Sequence, residues 1–369
     1  MPAATASPSA SAIASDRRSR LKATPVPECT GGAPWFNLCP CISMSPFQFP
    51  RRQVLQAITA ALLGGAQSAR AQGDRAIRKL LVGFPPGGTA DSLARALASQ
   101  SQDPGSVYVI DNKSGAAGQL AVQATVQSVA DGSSLLLTPS SVLTLAPLLY
   151  KTPLFNAQRD LQPLACLGDH CFALAVNGAS SVNSLQAFVQ WAKAHPAQAT
   201  YATPGLGSAP HFLGVQMARE TGLTLTHVPY RGVAPGLQDL MAGQVAGTFN
   251  PLPTLLDLHR SGRIRILAVT SPRRLPTLPD TPTFTESGIA ALQLVEWYGL
   301  FAPARTPAGV LGPLGQDIRN TLRSPGMLEA AKRMEINLRQ EDAATLGKMV
   351  LQDQERWKGL VASSGIQLD

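Results

Sequence analysis

The sequence lacks the motifs that identify common nucleotide-binding and hydrolytic sites. It contains no Gly-x-x-x-x-Gly-Lys-Ser/Thr and no Gly-x-Gly-x-x-Gly, the loops that hold nucleotide phosphates and dinucleotides. It also contains no Gly-x-Ser-x-Gly, the turn that presents the serine nucleophile of many hydrolases. The sequence therefore indicates neither a nucleotide site nor a serine hydrolase, and it shows no internal repeat.

A long apolar run is also missing. The charge-free stretch at residues 53–69 is too short and too rich in Ala and Gly for a membrane span of about 20 residues. It lies between the pair Arg51-Arg52 and the tripeptide Ala69-Arg-Ala71, which is the order of features in a secretory signal. The paired arginines resemble those of a twin-arginine signal. We therefore predict that residues 1–71 are a leader removed on export, with Met44 as a candidate natural start.

Excess positive charge is confined largely to that predicted leader. The whole chain has 31 basic and 23 acidic residues, a formal charge of +8. Residues 1–71 hold seven of the basic and two of the acidic residues, so the remainder carries 24 against 21. No basic stripe remains that would indicate nucleic-acid binding, and we expect no nucleic-acid partner.

Cysteine is scarce beyond the leader. Of the five cysteines, only Cys166 and Cys171 lie there, in the segment Cys-Leu-Gly-Asp-His-Cys. In an oxidising compartment this pair could close a small loop as a disulfide. Free thiols are a second alternative. A zinc site with Asp169 and His170 is a third, disfavoured because four ligands in one short loop fit tetrahedral geometry poorly. Spacing alone leaves these alternatives open.

From residue 77 onward, apolar strand-like runs alternate with helical patterns, which predicts an α/β architecture with largely parallel sheets. Two crossover segments, near residues 173–177 and 295–301, predict two lobes with a cleft between them. One lobe comprises residues 72–175 and 296–369, and the other residues 176–295. The predicted strands are 77–84, 107–110, 135–137, 172–176, 200–203, 245–250 and 264–270. The predicted helices are 90–99, 118–129, 185–194, 208–220 and 237–242, and the C-terminal part is predicted to be mostly helical.

Two loops share one design, each between a predicted strand and a predicted helix. The first is Pro85-Pro-Gly-Gly-Thr-Ala-Asp91, in which Thr89 is the expected helix cap. The second is Thr203-Pro-Gly-Leu-Gly-Ser-Ala-Pro-His211, in which Ser208 is the expected cap. The first amides of a helix have no intrahelical acceptor and carry partial positive charge, so they bind anions. Two such loops in different lobes predict a clamp for a small carboxylate.

Each loop alone is also typical of an ordinary turn before a helix. Asp91 can complement its helix dipole or accept a hydrogen bond from a ligand. His211 can pack within its helix or donate to a ligand. The hypothesis of a binding site therefore depends on the pairing of the two loops.

Further motifs, in their order and spacing, resemble the Bug family of periplasmic solute-binding receptors, which serve tripartite tricarboxylate transporters. The similarity extends from about residue 77 to residue 369. The motifs that carry it are Phe84-Pro-Pro-Gly-Gly-Thr-Ala-Asp91, Asp111-Asn-Lys-Ser-Gly-Ala-Ala-Gly118, Ala130-Asp-Gly132, His227-Val-Pro-Tyr-Arg-Gly232, Leu267-Ala-Val-Thr-Ser271, Leu278-Pro-Asp-Thr-Pro-Thr283 and Trp297-Tyr-Gly-Leu-Phe-Ala-Pro303.

The resemblance implies a two-lobe Venus-flytrap fold of type II, with mixed sheets flanked by helices, that closes around a small carboxylated ligand. It implies a periplasmic, monomeric receptor without a cofactor, not an enzyme, that delivers its ligand to membrane permease subunits or a sensor. The residues expected to contact the ligand are Phe84, Pro85, Gly87, Gly88, Thr89, Asp91, Ser140, Thr203, Gly205, Gly207, Ser208, His211, Tyr230 and Asn250.

Two other functions stay open from the residues themselves. A periplasmic enzyme could act on a small organic acid in the same cleft, with Asp91 and His211 as acid–base partners, although the sequence shows no activated nucleophile or metal set. A scaffold that has lost its ligand would respond to no carboxylate. The sequence does not identify the acid, because backbone amides recognise a carboxylate whatever carries it.

Overall fold

The computed structural model describes residues 75–364 and 366–367, and the predicted leader lies outside them. No helix in this part of the chain has both the length and the apolar character needed to cross a membrane. The strands are β1 (Ala76–Val82), β2 (Ser106–Asn112), β3 (Ser134–Pro139), β4 (Leu161–Asn177), β5 (Thr200–Thr203), β6 (Thr226–Pro229), β7 (Gly247–Pro251), β8 (Ile264–Val269), β9 (Val295–Pro303) and β10 (Asn337–Leu338).

The helices follow the strands in the alternation that the sequence predicts. They are α1 (Thr89–Gln100), α2 (Gln119–Val126), α3 (Ser140–Thr144), α4 (Ala146–Leu149), α5 (Ala157–Asp160), α6 (Leu185–Ala194), α7 (Ala209–Thr221), α8 (Val233–Met241), α9 (Leu256–Arg260), α10 (Ala308–Leu322), α11 (Pro325–Arg333) and α12 (Ala343–Ser364). Short 3₁₀ turns occupy Ala116–Gly118, Leu252–Thr254 and Ala290–Leu292.

Local signals set several of these boundaries as predicted. Helix α6 starts after Ser184, whose hydroxyl accepts a hydrogen bond from the amide of Ala187 at 3.1 Å, and it ends before His195-Pro196. Serine caps a helix in this way because its side chain satisfies an amide that has no intrahelical acceptor. The predicted bounds of α6 and β5 are confirmed residue for residue.

The long strand β4 connects two halves of the structure. Its residues up to Cys171 pair with β9, and its residues from Phe172 onward pair with β7 and β8. The strand order is β2-β1-β3-β9-β4-β7-β5-β6, with β8 and β10 also paired to β4. We call the part with β1, β2, β3, β9 and β10 the first lobe, and the part with β5 to β8 the second lobe.

The sheets are mixed, as the family resemblance implied. Strand β1 runs parallel to β2 and β3, and β5 runs parallel to β6 and β7. Strands β4 and β9 run antiparallel to their neighbours. The expectation of largely parallel sheets is therefore correct for the strand–helix units and wrong at the junction. At the junction, the long antiparallel strands β4 and β9 take the place of further parallel strand–helix units.

Each lobe has its own apolar core. In the first lobe, Leu93 of α1 packs with Leu80 and Leu135 of the sheet, all fully buried. In the second lobe, Phe188 and Tyr201 pack in another cluster. Burying one such large apolar side chain stabilises a fold by about 1.5–3 kcal/mol. Because these side chains fill the lobes, the loops at the carboxyl ends of the parallel strands are left to form the cleft.

The disulfide alternative for Cys166 and Cys171 is wrong. Both thiols are free and buried, and both lie in the extended strand β4. Five residues of strand span about 16 Å, whereas disulfide Cα atoms lie within about 7 Å. Burial raises the pKa of each thiol to about 12, so neither is a reactive thiolate.

Candidate functional site

A cavity of about 200 Å³ lies between the two lobes. It is lined mainly by loops that lead from a strand into a helix: residues 84–90 before and at the start of α1, 139–141 at α3, 204–210 at α7 and 231–235 at α8. The first two loops belong to the first lobe and the other two to the second. Four helix N-termini therefore converge on one small space.

The first loop presents the start of α1 to this cavity. Gly87 has φ +86°, a conformation that glycine adopts without strain. Gly88 is the N-cap residue and Thr89 the first helical residue, so the prediction that Thr89 is the cap is wrong. Thr89 Oγ1 is buried without a well-aligned hydrogen-bond partner in the described chain, although the Tyr298 hydroxyl lies near it.

Asp91 holds this loop in place through hydrogen bonds. Its carboxylate accepts hydrogen bonds from the Gly87 amide at 3.0 Å, from Asn112 Nδ2 at 3.0 Å and from Arg95 Nε at 2.9 Å. Burial raises the pKa of Asp91, but the bonds from Arg95, Gly87 and Asn112 lower it more, so the net pKa is below its ordinary value. Asp91 is fully engaged and only 2% exposed, which gives it a positioning role.

The second loop presents the start of α7. Ser208 is the N-cap, as predicted, and its hydroxyl accepts from the His211 amide at 3.4 Å. Pro210 lies in the first turn, where a missing amide proton breaks no helical bond. Gly207, with φ +77°, donates its amide proton to His211 Nδ1 at 3.2 Å. The loop is thus held by its own helix.

His211 and His227 form a stacked pair beneath this loop. Their ring centroids lie 4.0 Å apart with an interplanar angle of 16°, and Thr203 Oγ1 lies 2.6 Å from His227 Nε2. Burial lowers the pKa of His211 to about 4. Burial, followed by the charge that His211 would carry, lowers the pKa of His227 to about 3. Both rings are neutral near pH 7 and act as packing.

This pair should make the fold less stable in acid. The unfolded chain binds a proton at each histidine near pH 6.5, whereas the folded rings stay neutral, so the contribution to stability falls as pH drops below about 6.5. The unfolding free energy should therefore drop between pH 7.5 and pH 5. In His227→Phe we expect that drop to be smaller by roughly 1 kcal/mol, a value that allows for the partial exposure of His227. Urea unfolding at the two pH values measures this; an unchanged difference would contradict it.

Of the fourteen residues predicted to contact a ligand, six line the cavity: Phe84, Pro85, Gly87, Gly88, Thr89 and Ser208. Two others, Gly205 and Tyr230, line a neighbouring groove that residues of both lobes form. The remaining six do not line the cavity: Asp91, Ser140, Thr203, Gly207, His211 and Asn250.

Hydrogen bonds within the protein engage several of the predicted residues that lie outside the cavity lining. Asn250 is buried and its Nδ2 donates to Thr248 Oγ1 at 2.7 Å, while the Tyr230 hydroxyl donates to Asp239 at 2.6 Å. The residue after Ser140, Ser141, lines the cavity in its place. The family resemblance indicated this helix N-terminus but not which of the two serines lines the cavity.

Glu296 of β9 is a polar group in the cavity wall that the sequence does not predict. Glu296 and Tyr298 both line the cavity, because residues two apart in a strand point to the same face. Phe172, where β4 passes between lobes, lines it as well. The sequence around Glu296 predicts only a crossover between the lobes, and no local pattern marks this acid as part of a cavity.

A two-lobed α/β fold that encloses a small cavity between helix N-termini defines the class of periplasmic solute-binding proteins. The chain belongs to the tripartite tricarboxylate transporter receptor family, since the family model described as "Tripartite tricarboxylate transporter family receptor" matches residues 93–366. The resemblance to Bug receptors is thereby confirmed. Within the described residues, no group of three or more His, Cys, Asp or Glu could hold a metal ion.

Known relatives agree with this assignment. The chain is 33% identical over 293 residues to the protein BugT of Bordetella pertussis, covering 79% of this chain and 90% of BugT. Its fold is similar to that of the periplasmic binding protein BugD, with a TM-score of 0.75, 29% identity, and coverage of 79% and 98%. The same values hold for the R. palustris protein Rpa4515 with adipate.

Proposed function

We propose that this chain is an exported receptor that captures a small carboxylate between its lobes and delivers it to membrane permease subunits or a sensor. The observation that carries the proposal is the convergence of the α1 and α7 N-termini, one from each lobe, on one cavity. The unpaired amides at the start of α1 and the macrodipoles of both helices favour a carboxylate at such a place. The adipate bound by Rpa4515 supports the same ligand class.

Export and organisation form part of the same proposal. We infer that residues 1–71 direct the chain to the periplasm, that it acts as a monomer, and that the lobes divide near residues 175/176 and 295/296. Support comes from the order of features around residues 51–71 and from the change of strand pairing within β4. N-terminal sequencing of the exported protein tests the first of these statements.

We infer that the site binds its ligand without turning it over. The enzyme alternative needed Asp91 and His211 as acid–base partners, but both are buried outside the cavity lining and engaged with other groups. Incubation of the purified protein with the acid that co-purifies with it, followed by mass spectrometry, tests this. Recovery of the acid unchanged is the expected result, and a product would overturn it.

Removal of one amide tests the carboxylate clamp. Gly88 has φ −78°, which proline also adopts, so Gly88→Pro deletes an amide proton with little backbone strain. Because a hydrogen bond to a charged group contributes about 1.5–3 kcal/mol, we expect affinity for the co-purified acid to fall at least about tenfold. Isothermal titration calorimetry measures the change.

Gly88→Ala is the matched control. A Cβ there would lie 3.6 Å from Pro85 O, an ordinary contact, and the amide stays. Affinity within about threefold of the unaltered protein is expected, a difference of roughly 0.7 kcal/mol. If proline and alanine variants bind equally well, the amides of α1 do not hold the carboxylate. If no carboxylate in a thermal-shift panel stabilises the protein, the receptor proposal itself fails.

A further inference from the structure

Glu296 is a buried acid in the wall of the ligand cavity. It lies in β9 and is 5% exposed. Strand β3 separates β9 from β1, the strand that leads into α1. Two strand spacings place Glu296 about 10 Å across from the α1 N-terminus, which is enough for a short ligand to reach from one to the other.

The cavity already contains a carboxyl group of the protein at this place. Glu296 Oε1 accepts a hydrogen bond from the Ser141 amide at 3.0 Å, so the N-terminal amide of α3 is used internally. Its other oxygen, Oε2, lies 3.7 Å from His170 Nε2, too far for a hydrogen bond. A second carboxylate of a ligand at this place would therefore find the Ser141 amide already hydrogen-bonded and would lie beside the carboxyl group of Glu296.

The groups around Glu296 offer no fixed positive charge to offset such a second carboxylate. His170 faces it from β4, and burial lowers the pKa of that ring to about 3, so the ring is neutral. Tyr298 neighbours Glu296 on β9. The negative charge of Asp353, on α12, raises the pKa of Glu296. Among the described residues that line the cavity, Arg231 is the single lysine or arginine, and it is exposed.

We propose that Glu296 determines which acid this receptor takes: one with a single carboxylate and, several atoms away, a hydrogen-bond-donating group such as a hydroxyl or ammonium. The inference rests on the proposed function, since it places the ligand's own carboxylate at the N-termini of α1 and α7. Glu296 Oε2 accepts the donor at the other end. The apolar walls between, which include Phe172 and Pro210, contact the body of the ligand.

The protonation state of Glu296 sets this preference. Burial raises the pKa of Glu296 to about 7, although the Ser141 bond lowers it. Above that pH the carboxylate accepts a hydrogen bond from a donor group. Below it the neutral acid can itself donate to a carboxylate. Selectivity for a donor group is therefore strongest in mildly alkaline solution.

Four acids with the same carbon chain test the proposal by calorimetry at pH 8: hexanoate, 6-hydroxyhexanoate, 6-aminohexanoate and adipate. The unaltered protein should bind the hydroxy or amino acid at least about tenfold more tightly than adipate, since a hydrogen bond to a charged group is at stake. In Glu296→Gln the amide oxygen keeps the Ser141 bond and the NH₂ group faces the cavity. In this variant the affinity for adipate, relative to the affinity for the hydroxy and amino acids, should rise by at least about tenfold.

Glu355→Gln is the matched control, because Glu355 is exposed on α12 and pairs with Lys358; it should keep the original ranking. Equal rankings in the unaltered and Glu296→Gln proteins would overturn this inference and leave the receptor proposal standing. Failure of every acid, including the co-purified one, to bind would overturn both.

A second measurement needs no variant. In the unaltered protein, the affinity ratio of adipate to 6-aminohexanoate should rise about tenfold between pH 8.5 and pH 6.5, as Glu296 takes up a proton. His170, His211 and His227, with pKa values of about 3 to 4, stay neutral over this range. A constant ratio would overturn the assignment even if Glu296→Gln did not fold.

Discussion

Replacement of Gly232 with alanine is expected to weaken ligand binding about 30-fold, or roughly 2 kcal/mol. Gly232 precedes α8 in the second lobe, with φ +103° and ψ 179°, a region open almost exclusively to glycine. A Cβ there would lie 2.8 Å from Pro85 Cγ of the first lobe. The added methyl group therefore strains the backbone and separates the two lobes beside the cavity.

The loss of affinity would come from the closed arrangement becoming less populated. When only a fraction of molecules can adopt the binding-competent state, the apparent affinity falls by that fraction. Calorimetry with the co-purified acid gives the change in Kd. Small-angle scattering with and without ligand shows whether the lobes still approach each other.

Gly243→Ala is the control that separates the effect of backbone strain from the effect of keeping the two lobes apart. Gly243 also has positive φ, +75°, but nothing lies within 4 Å of a Cβ built there. This variant should lose about 1 kcal/mol of unfolding free energy and bind the acid normally. If Gly243→Ala and Gly232→Ala bind equally well, contact of Pro85 with Gly232 has no part in closure.

Asp91→Asn is expected to lower both stability and affinity. The carboxylate accepts from the Gly87 amide, from Asn112 and from Arg95, and an asparagine would turn an NH₂ group toward at least one of these donors. A lost charged hydrogen bond in a buried place lowers the unfolding free energy by about 2 kcal/mol. Because Gly87 is then less restrained, the amides at the start of α1 lose their alignment, and affinity should fall about tenfold.

Asp131→Asn provides the comparison for this change. Asp131 also accepts a backbone bond, from the Ser133 amide at 2.8 Å, but it is exposed in a turn away from the cavity. It should change the unfolding free energy by less than about 0.5 kcal/mol and leave affinity unaltered. Urea unfolding and calorimetry decide; stability and affinity unaltered in Asp91→Asn would show that the α1 loop holds its shape without the carboxylate.

The strand–helix units and both glycine-containing loops at the cavity were predictable because their signals are local. Ser184 and Ser208 cap helices where the sequence places them, and glycine occupies the positive-φ positions of both loops. The long strand β4 was predicted only in its second part, because Pro163, Gly168 and polar residues interrupt the pattern of residues 161–171. Their strand conformation depends on pairing with β9, a contact more than a hundred residues away.

The same distinction applies to the site. Loop residues with backbone roles, such as Gly87 and Gly88, are predictable as candidates because turn chemistry indicates them, and both line the cavity. The inward-facing Glu296 and the stack of His211 on His227 depend on which elements become neighbours. No local pattern distinguishes a buried acid in a cavity wall from an exposed one on a strand.

The position of β9 in the sheet has a consequence for the order in which this chain can fold during synthesis. Strand β9 lies between β3 and β4 in the first lobe, yet its residues follow the entire second lobe in the chain. The sheet strands of the second lobe, from the end of β4 to β8, are contiguous in sequence and can assemble as soon as they emerge. Domains that emerge first generally fold first, but here β3 and the first part of β4 have no β9 to pair with until residues 295–303 have been made.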